Sequence, residues 1–84
     1  MVRCESNAMC TFDVATTSNV ENVTCATGAT CEIDCADVSN CFPRCVEGAM
    51  CRVDCTSASN CSYTACDGVV SPCPGDVLAC NTAC

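Results

Sequence analysis

The sequence contains no histidine, no lysine and no tryptophan, and its 84 residues include only three aromatic side chains. Without histidine there is no imidazole base and no imidazole ligand for zinc. Without lysine no Schiff base forms with a carbonyl substrate. The only cations are Arg3, Arg44 and Arg52, and the net charge of −7 argues against nucleic acid or an anionic membrane as a partner.

Large apolar side chains are also scarce. Leu, Ile, Val and Phe together supply fourteen residues, too few to offset about 1–2 kcal/mol of backbone entropy per ordered residue. No run of 18 apolar residues occurs, and the start Met1–Cys4 lacks an apolar signal region. We therefore expect one small domain, residues 1–84, with no membrane span and with covalent stabilisation. Its export signal has been removed by processing, or the chain is a module of a longer exported protein.

Cysteine is what the sequence has in excess, with fourteen residues. Thiolate clusters around a metal need Cys-x-Cys or Cys-x2-Cys pairs, and neither spacing occurs. The even count and regular gaps instead predict disulfides, and hence an oxidising compartment: extracellular, periplasmic or at the cell surface. The predicted disulfide cysteines are Cys4, Cys10, Cys25, Cys31, Cys35, Cys41, Cys45, Cys51, Cys55, Cys61, Cys66, Cys73, Cys80 and Cys84.

Ten-residue blocks of two alternating types repeat along the chain. The type-one blocks are residues 4–13, 25–34 and 45–54, and the type-two blocks are residues 14–23, 35–44 and 55–64. Each opens on a Cys-x5-Cys pair, except that Val14 and Val20 replace both cysteines in one block. Type-one blocks hold Gly or Asn at their fourth position, where Gly28 aligns with Val38 of the other type, so the two types must turn differently. The true period is therefore about twenty residues.

This period predicts an all-β fold, a small disulfide-stapled β-solenoid (β-helix) with about 20-residue coils stacked about 4.7–4.9 Å apart. The repeat array spans residues 4–65, and residues 66–84 form an irregular C-terminal cap. The expected ladders are Asn19, Asn40 and Asn60; Phe12, Ile33 and Val53; and Ala8, Ala29 and Ala49. One column, Asp13, Asp34 and Asp54, stacks like charges, which favours solvation or a bridging cation. A coil of ten residues is the alternative, and in it the charges of the stacked residues Asp34, Arg44 and Asp54 would alternate in sign.

The joint loss of both cysteines at Val14 and Val20 indicates how the others pair. If partners lie within one block, a block loses both without leaving an orphan, whereas Cys-x3-Cys pairing would strand Cys10 and Cys25. The predicted bridges are Cys4–Cys10, Cys25–Cys31, Cys35–Cys41, Cys45–Cys51 and Cys55–Cys61, with Cys66–Cys73 and Cys80–Cys84 in the cap. Bridged Cα atoms lie within about 7 Å, so each block must bend back on itself.

Acidic residues are the main candidates for a binding or catalytic site. They are Glu32, Asp34, Asp37, Glu47 and Asp54. Calcium is the one cofactor considered, but no EF-hand loop or Gly-Gly-x-Gly-x-Asp nonapeptide is present, and solvated surface is favoured. Paired carboxylates also serve glycoside hydrolysis, which needs a cleft that a thin solenoid lacks. We assign no catalytic, cofactor or metal residue and expect no enzyme.

Two sequons, Asn22-Val23-Thr24 and Asn60-Cys61-Ser62, match the N-glycosylation pattern. The first lies in the cysteine-free block and is the more plausible surface acceptor if the protein is eukaryotic.

The Cys-x5-Cys unit resembles the disulfide-stapled repeat of beetle antifreeze proteins, which implies ice binding as an alternative. The Thr-Cys-Thr triplet of that family is missing, and Thr24-Cys25-Ala26 is its nearest approach. The other threonines, Thr16, Thr17, Thr27, Thr30 and Thr56, scatter across columns.

The segment 25–84, with GATCEIDC, GAMCRVDC and CPGDVLACNTAC, resembles cysteine-rich repeat modules of predicted exported lipoproteins of myxobacteria. That resemblance implies an extracytoplasmic location and disulfide bonding, with no assigned activity. We expect a non-enzymatic structural or interaction module for surface scaffolding or adhesion, whose unknown protein or surface partner meets a flat face or an edge. The alternatives are an ice-binding protein and a knotted inhibitor or toxin-like protein.

Overall fold

The computed structural model describes residues 2–13, 19–20 and 23–84. In these residues all the regular secondary structure is β, which confirms the all-β prediction there. The strands are β1 (Val2–Cys4), β2 (Met9–Asp13), β3 (Asn19–Val20), β4 (Val23–Cys25), β5 (Thr30–Asp34), β6 (Asn40–Cys41), β7 (Arg44–Cys45), β8 (Met50–Asp54), β9 (Asn60–Cys61), β10 (Ala65–Cys66), β11 (Val70–Cys73) and β12 (Val77–Cys80).

The strands pair in three sheets. A four-stranded sheet has the order β1-β4-β7-β10, a three-stranded sheet β3-β6-β9, and a five-stranded sheet β11-β12-β8-β5-β2. All pairs are parallel except those that β12 makes with β8 and β11. Partners on parallel strands lie 20 or 21 residues apart, as in the series Cys10, Cys31 and Cys51. The pairing therefore follows the twenty-residue period, and Asp34 lies opposite Asp54 rather than Arg44.

Both block types contain a tight turn, but at different positions. In type one the Ala29 N–H donates to the Ala26 carbonyl, and Gly28 has a φ of 77°. In type two the Val38 N–H donates to the Cys35 carbonyl, and Asp37 has a φ of 63°. The residue with positive φ is thus the fourth of the block in type one and the third in type two. In type two the fourth position can therefore hold a buried, β-branched side chain, as Val38 shows.

Disulfides fill much of the interior. All fourteen cysteines lie in the described residues and all are bridged. Eight of the sixteen buried hydrophobic residues are cysteines. The apolar ladder Phe12, Ile33 and Val53 stacks in register beside them, with Ile33 and Val53 buried. Cystine sulfur therefore takes the place of the missing aliphatic core.

Five bridges join the pairs that the spacing predicts. They are Cys4–Cys10, Cys25–Cys31, Cys35–Cys41, Cys45–Cys51 and Cys55–Cys61, with Cα–Cα distances of 5.8 to 6.4 Å. The cysteine-free block lies mostly outside the described residues, including Val14 and Ser18. Val20 pairs through its backbone with Cys41, the second cysteine of the next type-two block.

The predicted cap bridges Cys66–Cys73 and Cys80–Cys84 are wrong, since the structure joins Cys66–Cys80 and Cys73–Cys84. Strand direction is the reason. Cys66 lies beside Cys45 on the parallel strand β10, but the place beside Cys51 is taken by Cys80 on the antiparallel strand β12. Cys66–Cys80 thus continues the column that Cys25–Cys31 and Cys45–Cys51 belong to.

The ladder of asparagines is present where the structure describes it. The Asn60 Nδ2 donates to the Asn40 Oδ1 at 2.9 Å. Asn19 pairs with Asn40 through its backbone, while its side chain lies outside the described part. Ala29 and Ala49 are fully buried, as expected for a column where packing leaves no room.

The cap is tied to the last repeat by a tyrosine. The Tyr63 hydroxyl donates to the Leu78 carbonyl of β12 at 2.7 Å, and burial raises the pKa of this hydroxyl above its ordinary value. The neutral, hydrogen-bonding form is thereby favoured. Leu78 itself lies opposite Val53 in the sheet, so the cap covers the end of the apolar ladder.

Val53 and Val69 provide a matched test of this interior. Val53 is fully buried and Val69 is 74% exposed. We expect Val53→Ala to lower the free energy of unfolding by about 2 kcal/mol, from lost burial and a residual cavity. Val69→Ala should change it by less than about 0.5 kcal/mol. Guanidinium unfolding followed by circular dichroism, with all disulfides intact, measures both, and equal effects would contradict the assigned core.

Candidate interaction face

Three columns of outward side chains lie on β2, β5 and β8. They are Met9, Thr30 and Met50; Thr11, Glu32 and Arg52; and Asp13, Asp34 and Asp54, aligned by the parallel register. We call this surface the columnar face. It arises because successive side chains of a strand point to opposite sides. Cys31 and Ile33 are buried, and the intervening Glu32 is exposed.

The aspartate column is occupied by local hydrogen bonds. The Asp34 Oδ1 accepts from the Ala36 N–H at 3.0 Å. The Asp54 Oδ1 accepts from the Thr56 hydroxyl at 2.6 Å and from the Thr56 N–H at 3.0 Å, and these two donors lower the pKa of Asp54 below its ordinary value. Asp34 and Asp54 therefore cap the turns that follow their strands. These donors counter the repulsion between the two carboxylates.

The middle column carries the only cation of this face, since Arg52 follows Glu32 in register. The Arg52 Nη1 lies 3.8 Å from the Glu32 Oε1. The same guanidinium donates from Nε and Nη2 to the Ala83 carbonyl, at 3.2 and 2.9 Å. The exposed ion pair contributes little to stability, so the main effect of Arg52 is to hold the segment after β12 against the face.

A shallow depression of about 270 Å³ is lined by members of the middle column and of the aspartate column. Its lining residues are Thr11, Glu32, Ile33, Asp34, Arg52, Asp54 and Val77. Three of the five acidic residues singled out in the sequence meet here. Asp37 and Glu47 do not line it, since they lie in the turns that follow β5 and β7. Glu47 borders a separate depression with Arg44. The five acids therefore do not converge as one cation site would require.

Threonine forms no continuous row on the columnar face. Thr30 lies between Met9 and Met50, and Thr11 is followed by Glu32. On the neighbouring sheet Thr24 lies between Arg3 and Arg44. Thr56 is bound to Asp54. Thr16 and Thr17 lie outside the described residues.

Exposed methionine is the feature that the sequence interpretation missed. Met9 is 85% exposed and Met50 40% exposed, both beside a cysteine that points inward. The signal was available, because the residue before an inward cysteine of a strand must point outward. The columnar face thus combines apolar, mixed-charge and acidic rows.

Three cysteine sulfurs, of Cys25, Cys31 and Cys51, lie within 4.8 Å of one another. Their closeness follows from the stacking of bridge Cys25–Cys31 next to Cys45–Cys51. A bridged sulfur has no thiolate charge, and the thiolate is the form that binds a metal. The cluster is a part of the interior.

Of the two sequons, only the second lies fully within the described residues. Asn60 is exposed, but its amide nitrogen donates to Asn40 and the middle residue Cys61 is bridged. Asn22 lies outside the described part.

Comparison with protein-family models, with curated proteins and with solved structures gives no match. Among the described residues no helix has the length and apolar character needed to cross a membrane.

Thr56 tests the role of the aspartate column. Because Asp54 has a lowered pKa in the folded state, its contribution to stability is present above the ordinary carboxyl pKa and is lost as the pH falls through the lowered value. We expect Thr56→Val to remove the hydroxyl donor, keep the N–H donor and raise the pKa of Asp54 towards its ordinary value.

Carboxyl carbon NMR shifts recorded through the acid range measure this change. Thr64→Val is the matched control, since the Thr64 hydroxyl donates to the Phe42 carbonyl instead. An unchanged Asp54 titration in Thr56→Val, or the same rise in Thr64→Val, would show that the hydroxyl does not stabilise the carboxylate.

Proposed function

We propose that this chain is a non-enzymatic structural or interaction module that works outside the cytoplasm as a surface scaffold or adhesion element. The observation that carries the proposal is the cystine interior beneath an ordered set of exposed columns. Seven disulfides indicate an oxidising environment. The crosslinked backbone holds the outward side chains in fixed positions, although the molecule lacks the large apolar core that usually provides such order.

We further propose that the chain winds as a β-solenoid of about 20-residue coils closed by the C-terminal hairpin. In this proposal each coil contributes one strand to each sheet, in the sequence β1, β2, β3, then β4, β5, β6, then β7, β8, β9. The parallel registers with a constant offset of 20 or 21 residues support it. The antiparallel β12 covers β8 and so closes one end of the five-stranded sheet.

The proposed setting is an exported protein of the kind that the cysteine-rich myxobacterial modules represent. The support is the repeat itself together with the bridged cysteines in each described block. Most bridges join residues six apart in sequence. Such local bridges staple single turns, whereas a knotted inhibitor is held by bridges between distant segments.

The columnar face is the proposed contact surface. Its depression is shallow, and two of its carboxylates, Asp34 and Asp54, accept hydrogen bonds from the following turns. These carboxylates act in turn formation, which favours a structural role over general acid and base catalysis. The apolar row of Met9 and Met50 supplies adaptable contact area next to the charged rows.

An adhesion assay tests this proposal. Beads that carry the native module are placed on the extracellular material of the producing cells, and their retention under flow is measured. We expect retention of native beads and its loss for the double variant Met9→Ser with Met50→Ser. The control is Val69→Ser, an exposed apolar residue on another part of the surface.

Undiminished retention of the double methionine variant would contradict the columnar face as the contact surface.

Two further measurements distinguish the alternative functions. Thermal hysteresis in the native protein would show ice binding instead. Proteolysis by chymotrypsin should be slow until a reductant is added, because crosslinks rather than apolar burial maintain the fold. Rapid digestion of the oxidised protein would contradict a rigid module.

A further inference from the structure

The seven disulfides differ sharply in exposure. In Cys25–Cys31, Cys35–Cys41 and Cys45–Cys51 both partners are at most 1% exposed, and Cys4 and Cys80 are fully buried. Cys55 and Cys61 are half-buried. Cys84 is the one cysteine among the fourteen that is exposed, and its partner Cys73 is half-buried. An external thiolate must reach a sulfur to attack it, so Cys73–Cys84 is the most accessible of the seven bridges.

Few other contacts hold the segment that carries Cys84. The Asn81 N–H donates to the Val69 carbonyl at 3.4 Å, and its side chain donates to the Ala49 carbonyl at 3.1 Å. Beyond it, Arg52 donates twice to the Ala83 carbonyl. Cys66–Cys80 anchors β12 independently of this segment. Opening Cys73–Cys84 therefore leaves the sheet and the six other bridges in place.

We propose that Cys73–Cys84 is a thiol–disulfide exchange site, at which a low-molecular-weight thiol becomes covalently attached to Cys84. The thiolate of the small molecule attacks the Cys84 Sγ and forms a new S–S bond. The bond to Cys73 breaks, and Cys73 leaves as a thiolate that takes a proton from water. This step conserves disulfide bonds and needs no oxidant. A second small thiolate then attacks the small-molecule sulfur of the adduct, which forms the disulfide of the two small molecules and releases Cys84 as a thiolate, so the two small thiols supply the two electrons that reduce Cys73–Cys84.

The surroundings of Cys73 make its release reversible. Cys73 lines an open depression of about 440 Å³ together with Ser57, Ser59 and Asp76. Water in this depression is available to solvate and protonate the released sulfur. Asp76 adds a negative charge to this rim, which disfavours a persistent thiolate and favours return of Cys73 to the disulfide. Attachment at Cys84 is therefore reversible.

This site adds a chemical reactivity that does not depend on what the columnar face binds. It gives the module one modifiable position while the buried bridges of the repeats stay closed. The order of reaction follows from access alone, since a bridge between fully buried cysteines opens only when the surrounding strands separate.

Site-resolved exchange mapping tests the proposal. The native protein is incubated with graded concentrations of reduced glutathione, quenched with acid, blocked with N-ethylmaleimide and digested with pepsin. Pepsin is needed because the three arginines give trypsin no site after Arg52, which would leave six cysteines in one peptide. Mass spectrometry then locates glutathione and maleimide on each cysteine.

We expect glutathione on Cys84 and maleimide on Cys73 at a level about tenfold or more above any adduct on the buried cysteines of the repeats. First reaction at Cys55 or Cys61, or simultaneous opening of all bridges, would overturn the proposal. The double variant Cys73→Ser with Cys84→Ser should abolish the early adduct. The matched double variant Cys55→Ser with Cys61→Ser should retain it.

Arg52 supplies a test that keeps every disulfide. Arg52→Ala removes both donors to the Ala83 carbonyl and should speed adduct formation at Cys84 by roughly two- to tenfold, the effect of one or two hydrogen bonds. Arg44→Ala, an exposed arginine on β7, is the control and should leave the rate unchanged. An Arg52→Ala rate equal to or below that of the native protein would overturn the proposed access through this segment.

Discussion

The fold depends on a covalent bridge across a tight turn. A disulfide requires its two Cα atoms to lie within about 7 Å, and the five block bridges hold them at 5.8 to 6.4 Å. Six residues can satisfy that limit only by bending back. A bend such as that between Cys25 and Cys31 takes the chain from one sheet to another, where its next strand pairs with strands 20 or 21 residues away. Every such bridge removes about 2 kcal/mol of unfolded-state entropy. Local crosslinks thus replace the burial that fourteen large apolar residues cannot supply.

Comparison of columns in the sequence identified the parts of the fold that repeat. The paired loss of cysteine at Val14 and Val20 was enough to predict bridges within blocks. The contrast between Gly28 and Val38 predicted different turns, but not that the left-handed residue moves to Asp37. The hydrogen bonds of the aspartate column could not be predicted in this way, because a comparison of columns considers only residues that are neighbours across strands. Asp54 is bound along the chain, by Thr56 two residues later.

The cap shows where spacing stops being informative. A bridge partner for Cys66 must occupy the inward position beside Cys51, and spacing alone favours a nearby cysteine such as Cys73. The chain instead runs along β11, reverses, and places Cys80 there on an antiparallel strand. Strand direction is decided by the Pro- and Gly-containing turn between β11 and β12 and by the packing of Leu78 on Val53. Neither follows from the distance between cysteines.

The same alternation along a strand produces both the inert interior and the variable surface. Inward positions hold bridged sulfur and aliphatic carbon, so their chemistry is fixed by stacking, while outward positions carry any side chain that water tolerates. Arg52 contacts two parts of the molecule. Its guanidinium lies near Glu32 on the columnar face and donates to the carbonyl of Ala83, the residue before Cys84. A guanidinium has donors in one rigid plane. The same guanidinium therefore contributes charge to the columnar face and hydrogen bonds to the segment that carries Cys84.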